Sequence, residues 1–384
     1  MLLAGAPAAA KTLHVYSSLP LQGPSAGQTR DVVRGIRLAL HEARGKAGAL
    51  DIAYTSLDDS TLRAGYWDPG QVSKNARRAA QDPATILYIG EFNSGGSAIA
   101  IPILNQANIP QISPANTYNG LTTAEPGTCC GEPGRYYPAG KRTYVRLPPR
   151  DAIQAAALVT QMRADGCHKV ALANDKDTYG YGIGRLAERA AKRLGLARTT
   201  DHGIDRRAKS YRALARGYRR AGADCFLFGG VTANHAAQLY LDVHAVLPTA
   251  RLYGADGICE SGFTLRVSRA VRARFACSAA TLPVKEYPGG NAFLTSFAAF
   301  FGRRSPDPWA VYGYEAMKLG LDTIGAAGDR RESVRRALFA TRNRASVLGT
   351  YSVTRTGDTT LRDYGIYRST PRGVLVYDHK VVAG

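Results

Sequence analysis

The chain has 384 residues, of which 45% are hydrophobic and 21% are charged, a composition typical of globular and not of disordered proteins. Its length predicts two domains, since single cores rarely exceed about 250 to 300 residues, and no segment approaches the roughly 18 apolar residues of a membrane span. The net charge of +20 comes from scattered basic doublets without a helix-turn-helix, zinc-finger or RNA-binding pattern, so nucleic acid is not an expected partner.

The first ten residues, MLLAGAPAAA, are similar to the end of a secretory signal, because an apolar patch is followed by small residues before Lys11. We expect residues 1–10 to be a signal-like remnant of an exported protein. No cysteine occurs where a lipoprotein would carry its lipid anchor. An alanine-rich terminus without such a role is the alternative.

Strands and helices alternate along the chain, which predicts an α/β fold with largely parallel sheets. The first half has predicted strands at 13–17, 51–56 and 86–89, with helices around 32–40 and 72–80. The second half repeats the pattern, with strands at 169–173, 225–228 and 251–253 and helices at 153–163, 183–194, 211–221 and 233–247. Two similar α/β lobes follow from this repetition.

The segment from Gly90 to Thr117 is the most informative for function. A strand ends there, a helix starts around Ser94 in a glycine-rich turn, and a second short strand ends in Ser-Pro-Ala-Asn-Thr. The free N–H groups and positive dipole end of that helix can bind a carboxylate, and the Ala115 carbonyl can accept from an amine. Pro102 predicts a kink or a delayed helix start. An ordinary strand-turn-helix capped by serine is the alternative.

The segment 120–141 contains Gly, Pro and Cys without periodicity and is predicted to be a loop insertion. Six cysteines form an even count without metal-binding spacing, so no metal site is expected. Spacing alone leaves many pairings open, and buried free thiols are an alternative. We favour bridges between cysteines beside neighbouring strands, between cysteines around a helical segment at 265–272, and between adjacent cysteines: Cys167–Cys225, Cys259–Cys277 and Cys129–Cys130.

The sequence motifs of common enzyme classes either do not occur or do not stand in the structural context that they require. Gly182, Gly184 and Ala187 match the dinucleotide-binding pattern G-x-G-x-x-A, but that pattern begins directly after a strand, and residues 174–181 intervene. Serine-hydrolase, P-loop and zinc-protease motifs do not occur. We expect a protein that is not an enzyme and needs no cofactor; an α/β oxidoreductase is the enzymatic alternative.

Six motifs occur in one order: SLPLQGPSAGQ at 18–28, SLDDS at 56–60, SAIAIPILNQANIPQISPANT at 97–117, ANDKDTYGYG at 173–182, FLFGG at 226–230 and YGADG at 253–257. With these motifs the chain, from about Leu13 to its C-terminus, resembles the type I periplasmic binding proteins of the leucine/isoleucine/valine-binding family. Members of that family are solute receptors of ABC importers.

The resemblance implies two similar α/β lobes, each with a mainly parallel central sheet flanked by helices. It also implies a hinge crossed three times by the chain, near 141–146, 282–287 and 348–354, with the ligand cleft between the lobes. The first lobe would then comprise residues 11–142 and 286–350, and the second lobe residues 143–285 and 351–384.

By the same resemblance, Ser94 and Thr117 would bind the α-carboxylate of a ligand and the carbonyl of Ala115 would accept from its ammonium group. Asp256 would supply the countercharge from the second lobe, and Tyr179 would close over the ligand.

Four further residues are candidate ligand contacts, and Gln28 or one of its neighbours would line the roof of the binding pocket. Trp309 falls where the family has an aromatic wall, and Val231 falls where the family often has an aromatic residue. Asn93, beside Ser94, replaces a small or sulfur-containing residue of the family. These departures predict a ligand less purely aliphatic than leucine. The remaining candidate is Asn116.

We therefore expect a monomeric, extracytoplasmic solute-binding protein that binds an amino acid or similar small carboxylate and docks on an ABC permease in the membrane. Two alternatives remain. One is a receptor for a carboxylate that is not an amino acid, such as an aromatic acid, an amide or a fatty acid. The other is a ligand-sensing module that is not coupled to transport.

Overall fold

The computed structural model describes residues 12–125, 127–199 and 202–382. The predicted signal remnant at 1–10 lies outside these residues. The strands are β1 (Thr12–Leu19), β2 (Lys46–Ala47), β3 (Leu50–Asp58), β4 (Ser60–Thr61), β5 (Tyr66–Trp67), β6 (Thr85–Gly90), β7 (Gln111–Ser113), β8 (Tyr144–Arg146), β9 (Lys169–Asn174), β10 (Ala197–Arg198), β11 (His202–Gly203), β12 (Cys225–Gly229), β13 (Arg251–Gly254), β14 (Phe275–Ala279), β15 (Arg344–Ser346), β16 (Gly349–Tyr351), β17 (Asp363–Ser369) and β18 (Leu375–Val382). The helices are α1 (Ala26–Glu42), α2 (Pro69–Gln81), α3 (Ser94–Gln106), α4 (Asp151–Ala164), α5 (Thr178–Arg193), α6 (Arg212–Arg220), α7 (Ala237–Val246), α8 (Ser261–Thr264), α9 (Arg269–Arg272), α10 (Gly290–Phe301), α11 (Ala310–Ala327) and α12 (Arg331–Phe339).

The first lobe is built on a six-stranded sheet with the order β2-β3-β1-β6-β7-β8. All its neighbours are parallel except the short β2, which runs antiparallel to β3. Local sequence signals start its helices: the Asp68 carboxylate accepts a hydrogen bond from the N–H of Gln71, and Pro69 occupies the first position of α2. Strands β4 and β5 form a separate antiparallel ribbon.

The second lobe has an eight-stranded sheet with the order β10-β9-β12-β13-β14-β17-β18, in which β11 also pairs with β9. Strands β9 to β14 are parallel to their neighbours, and β17 and β18 are added antiparallel at one edge. The prediction of two α/β lobes with mainly parallel sheets is confirmed.

Helices α10 to α12 return to the first lobe, where α11 packs closely on α1. Small residues at the contact permit this approach. A Cβ atom on Gly35 would lie 2.0 Å from the carbonyl oxygen of Ala310, and one on Gly313 would lie 2.2 Å from that of Val32. Any larger residue at either glycine would force the two helices apart.

The chain passes between the sheets three times, after β8, after β14 and after β16. The predicted limits of the lobes, 11–142 with 286–350 and 143–285 with 351–384, remain predictions. However, β8 follows residue 142 and pairs with β7, so residues 144–146 belong to the first sheet. The first passage is therefore the short segment between β8 and α4.

A buried arginine joins the first and third passages. The Nε of Arg146, in β8, donates to the Asp358 carboxylate at 2.8 Å, and its Nη1 donates to the Tyr118 carbonyl at 2.7 Å. Its Nη2 donates to the hydroxyl of Thr122, which also donates to Asp358 at 2.8 Å. Burial opposes ionisation of Asp358, but the charge of Arg146 keeps the pKa of this carboxyl below its usual value.

The three cysteine bridges are those we favoured: Cys129–Cys130, Cys167–Cys225 and Cys259–Cys277. The predicted loop insertion contains two short 3₁₀ turns, at Asn119–Leu121 and Gly134–Tyr136. Within the described residues, none of the helices combines the length and apolar character that a bilayer crossing requires.

Two predicted helices differ in the structure. The segment 265–272 is interrupted between α8 and α9, since the Ser268 hydroxyl accepts from the Val271 N–H and starts a new helix. The helix predicted from residue 233 begins regularly only at α7. Before it, His235 adopts a φ of 62°, and the Asn234 amide donates to the buried carboxylate of Asp175.

The Arg146–Asp358 pair yields a stability prediction. Asp358→Ala leaves a buried guanidinium without its countercharge, so we expect the free energy of unfolding to fall by about 3–5 kcal/mol, measured by urea denaturation. Asp363→Ala is the control, because Asp363 pairs with Lys380 at the exposed surface and should cost less than about 1 kcal/mol. Equal losses in the two variants would contradict a special role for the buried pair.

Candidate ligand site between the lobes

A cleft of about 570 Å³, including the part open to solvent, lies between the lobes. It is found where the carboxyl ends of parallel strands from both sheets meet, the usual location of ligand sites in such folds. Eight of the nine predicted residues line it: Asn93, Ser94, Ala115, Thr117, Tyr179, Val231, Asp256 and Trp309. The other lining residues include the predicted roof residue Gln28, Gly95 of the predicted glycine-rich helix start, and several that the sequence analysis missed: Ser25, Trp67, Phe92, Asp177 and Gly257.

The first lobe presents hydrogen-bond donors to the cleft. Helix α3 begins at Ser94, as predicted, and the N–H groups of its first turn have no acceptor within the helix. Pro102 lies inside α3 without delaying its start, so the predicted delay was wrong. The positive end of the helix dipole adds to the attraction for an anion. This side of the cleft is therefore suited to a carboxylate.

The loop after β7 is shaped by one buried serine. The hydroxyl of Ser113 accepts hydrogen bonds from the N–H groups of Ala115 and Asn116, at 3.2 and 2.9 Å. Asn116 does not line the cleft. Its amide nitrogen donates to the Phe92 carbonyl and its amide oxygen accepts from the Tyr144 hydroxyl, both at 2.9 Å. Asn116 thus connects the two loops that carry the cleft residues.

The second lobe presents an acidic group. Asp256 follows β13, is half-buried, and accepts a hydrogen bond from the hydroxyl of Tyr179 in the first turn of α5. The N–H of Gly257 donates to the same hydroxyl at 3.3 Å. Burial raises the pKa of Asp256 to about 6, although the hydrogen bonds from Tyr179 and Gln154 oppose the rise.

A second carboxyl group, Asp151, lies behind Thr117. Its N–H donates to the Thr117 carbonyl at 2.8 Å. Burial, and then the charge of Asp256, raise the pKa of Asp151 well above its usual value. The sequence analysis missed this residue, because an aspartate just before a predicted helix looks like an ordinary helix start. Asp151 is fully buried and does not line the cleft, so Asp256 is the one of these two acids that can attract a cation there.

Asp175 positions the second-lobe loops. Its buried carboxylate accepts from the N–H groups of Asp177 and Val231 at 3.0 and 3.1 Å and from the Asn234 amide at 2.7 Å. Burial, and then the charge of Asp177, raise the pKa of Asp175 to about 6. This carboxyl group therefore holds Val231 and the start of α5 at the cleft.

Aromatic side chains form the remaining wall. Trp309 is almost fully buried, and its ring meets that of Phe92 edge to face at a centroid distance of 5.5 Å. Trp67 reaches the cleft from the ribbon of β4 and β5. A flat apolar surface of this kind suits the hydrocarbon or aromatic part of a ligand.

Comparisons with known proteins agree with this architecture. Residues 17–373 match the model of a family described as periplasmic binding protein. The Leu/Ile/Val-binding protein BraC3 of Rhizobium johnstonii is 24% identical, with 95% of this chain and 94% of that protein covered. This family is one of binding proteins and not of enzymes.

Two crystal structures share the fold. A leucine-binding protein, LivK, from Thermotoga maritima has a TM-score of 0.81 at 19% identity. The superposition covers 96% of this chain and 98% of the LivK chain. A solute-binding protein of an ABC transporter from Rhodopseudomonas palustris, in complex with p-hydroxybenzoic acid, has a TM-score of 0.78 at 14% identity and covers 97% of each chain.

Gly95 lies where the two lobes approach each other closely. A Cβ atom at this position would lie 2.7 Å from Cζ2 of Trp67 and 2.9 Å from Oδ1 of Asp177 in the opposite lobe. We expect Gly95→Ala to hold the cleft open and to increase the radius of gyration measured by small-angle X-ray scattering.

Gly27→Ala is the matched control, because a Cβ atom on this glycine, also in the first turn of a helix, would have nothing within 4 Å. Its radius of gyration should equal that of the unmodified protein. An unchanged radius in Gly95→Ala would contradict the steric role of Gly95.

Proposed function

The chain belongs to the periplasmic binding protein family, and on that premise we propose that it is the solute-binding protein of an ABC importer and captures an amino acid. The observation that carries this proposal is the opposite polarity of the two sides of the cleft. Helix N–H groups at Ser94 face the carboxyl group of Asp256 across the cleft. A zwitterion complements both sides at once, whereas an uncharged solute complements neither.

In this proposal the α-carboxylate binds the N–H groups of the N-terminal turn of α3 and the hydroxyls of Ser94 and Thr117. The ammonium group donates to the carbonyl of Ala115 and to Asp256. Tyr179 holds Asp256 in place through its hydroxyl. Because the donors and acceptors belong to different lobes, binding favours the closed arrangement, in which a permease could recognise surfaces of both lobes.

Several parts of the proposal rest on the family alone. We infer that the protein acts outside the cytoplasm, as a monomer, and delivers its ligand to an ABC permease in the membrane. A sensing role without transport is the alternative. Co-purification of the ligand-loaded protein with a permease encoded beside it would support transport.

A carboxylate without an ammonium group is the second candidate ligand. The aromatic wall of Phe92, Trp67 and Trp309 favours it, and one structural neighbour is described in complex with p-hydroxybenzoic acid. Asp256 disfavours it, because this carboxyl group would face a ligand that has no positive charge. We therefore place the amino acid first.

Calorimetric titration of unfolded and refolded, ligand-free protein tests the proposal, with the common L-amino acids, benzoate and p-hydroxybenzoate as ligands. For an amino acid, Ser94→Ala and Asp256→Asn should each weaken binding about 10- to 100-fold, as expected for hydrogen bonds to charged groups. For an aromatic acid, only Ser94→Ala should do so.

Asp205→Asn is the control for Asp256→Asn, since it removes the same charge from an exposed position of the second lobe. It should leave affinity unchanged. Binding by none of these ligands to protein that has refolded correctly would refute the proposal.

The pKa of Asp256 gives a pH dependence. Only the ionised carboxyl attracts an ammonium group, and half of it is protonated at a pH of about 6. We expect the dissociation constant for an amino acid to be nearly constant from pH 7 to 8. Below pH 6 it should rise towards about tenfold per pH unit.

Titrations at pH 5, 6, 7 and 8 measure this dependence. Asp256→Asn should flatten it. Affinity that increases on acidification would show that the ligand benefits from the protonated carboxyl, as expected for an anion without an ammonium group.

A further inference from the structure

A second cavity lies between the lobes, directly beside the ligand cleft. It measures about 1090 Å³, including the part open to solvent, and shares Gln28 and Trp309 with the cleft. Its first-lobe wall includes Pro24 and Asp307, and its second-lobe wall includes Glu260 and Tyr367. Gln28 and Trp309 therefore stand between the two spaces, and the cavity is the next space that a ligand extending past Trp309 would meet.

Glu260 is an unsatisfied acid in the wall of this cavity. Its side chain precedes α8, and the residue is only 4% exposed. Within the described part of the chain neither carboxylate oxygen accepts a hydrogen bond of good geometry. Burial raises the pKa of this carboxyl, and the nearby hydroxyls of Thr232 and Ser25 offset the rise only in part. A buried acid in this state lacks a partner that a ligand could supply.

Asp307 faces the same cavity from the first lobe. Its Oδ1 accepts a hydrogen bond from the N–H of Trp309 at 3.0 Å. Burial raises the pKa of Asp307 to about 7, and the charges of Asp31 and Glu260 contribute to the rise. Glu260 is therefore near enough to repel Asp307 across the gap between the lobes.

The lobes touch beside these two acids. A Cβ atom on Gly262, two residues after Glu260, would lie 2.8 Å from the carbonyl oxygen of Pro24. Closure of the cleft thus brings two carboxyl groups of opposite lobes into one partly covered space. Two arginines are near these acids: Arg372 lines the cavity, and the charge of Arg266 acts on Glu260. Both are exposed, so solvent screens their charges.

We propose that the second cavity receives the far end of the bound amino acid and that this end carries a positive charge, held between Glu260 and Asp307. The ligand class is an α-amino acid with an unbranched side chain that ends in an ammonium or guanidinium group. Its methylene stem would pack against Trp309. The inference rests on the proposed function, because the α-amino and α-carboxyl groups must occupy the cleft.

Matched ligand pairs test the inference in the refolded, ligand-free protein. L-Ornithine and L-norleucine have side chains of equal length that end in an ammonium and a methyl group, and L-lysine and L-2-aminoheptanoate form a second such pair. By calorimetric titration at pH 8, we expect the cationic member of at least one pair to bind about tenfold more tightly or better.

Glu260→Gln keeps the size of the side chain and removes its charge, so it should reduce the preference within that pair about tenfold. Glu286→Gln, with the same charge change at an exposed position, should preserve it. If Glu260→Gln does not fold, Asp307→Asn replaces it, since an asparagine can still accept from Trp309.

The outcomes separate this inference from the proposed function. If the apolar members bind as tightly as the cationic ones, or if the preference survives both Glu260→Gln and Asp307→Asn, the inference is wrong and the amino-acid site stands. If no member of either pair binds and no other amino acid does, both are wrong.

Discussion

The buried guanidinium of Arg146 is the interaction on which the relation between the lobes depends. It joins β8 to the segment before β17, two passages that are more than 200 positions apart in the chain. A buried arginine is tolerated only when its donors are satisfied, and here the acceptors come from two segments: Asp358 from one, and the Tyr118 carbonyl and the Thr122 hydroxyl from the other. The place where the lobes join is therefore a buried polar cluster that ties β8, the loop at 118–122 and the segment before β17 together.

In the part of the chain that the structure describes, the charged groups at the ligand cleft, unlike those at the junction, are largely unpaired. At the junction Arg146 and Asp358 form an ion pair, whereas three carboxyl groups at or beside the cleft and the neighbouring cavity have no ion pair within the described residues. Asp151, Asp256 and Glu260 all have raised pKa values with burial as the first cause. Such groups lower the stability of the empty protein, because desolvation of a carboxylate is costly. Local rules of stability are commonly broken where a protein binds its ligand.

Much of the fold and most of the cleft could be predicted from the sequence. Alternating strands and helices indicated two lobes, polar residues at strand ends indicated Ser94 and Thr117, and the family resemblance implied Asp256. The misses have physical causes. Asp151 and Trp67 reach the site only through tertiary packing, which no local pattern records. The start of α7 was misjudged, because the Asn234 amide bonds Asp175, about 60 residues earlier, in preference to continuing a helix.

The glycine contact between α1 and α11 has a consequence for the order of folding. Helix α1 is among the first elements to be synthesised, and its packing partner α11 follows only after the whole of the second sheet up to β14. The first lobe thus lacks a large part of its core until late in synthesis, while most of the second lobe is continuous and can assemble by itself. The lobe that is begun first therefore cannot complete its core until most of the second lobe has been made.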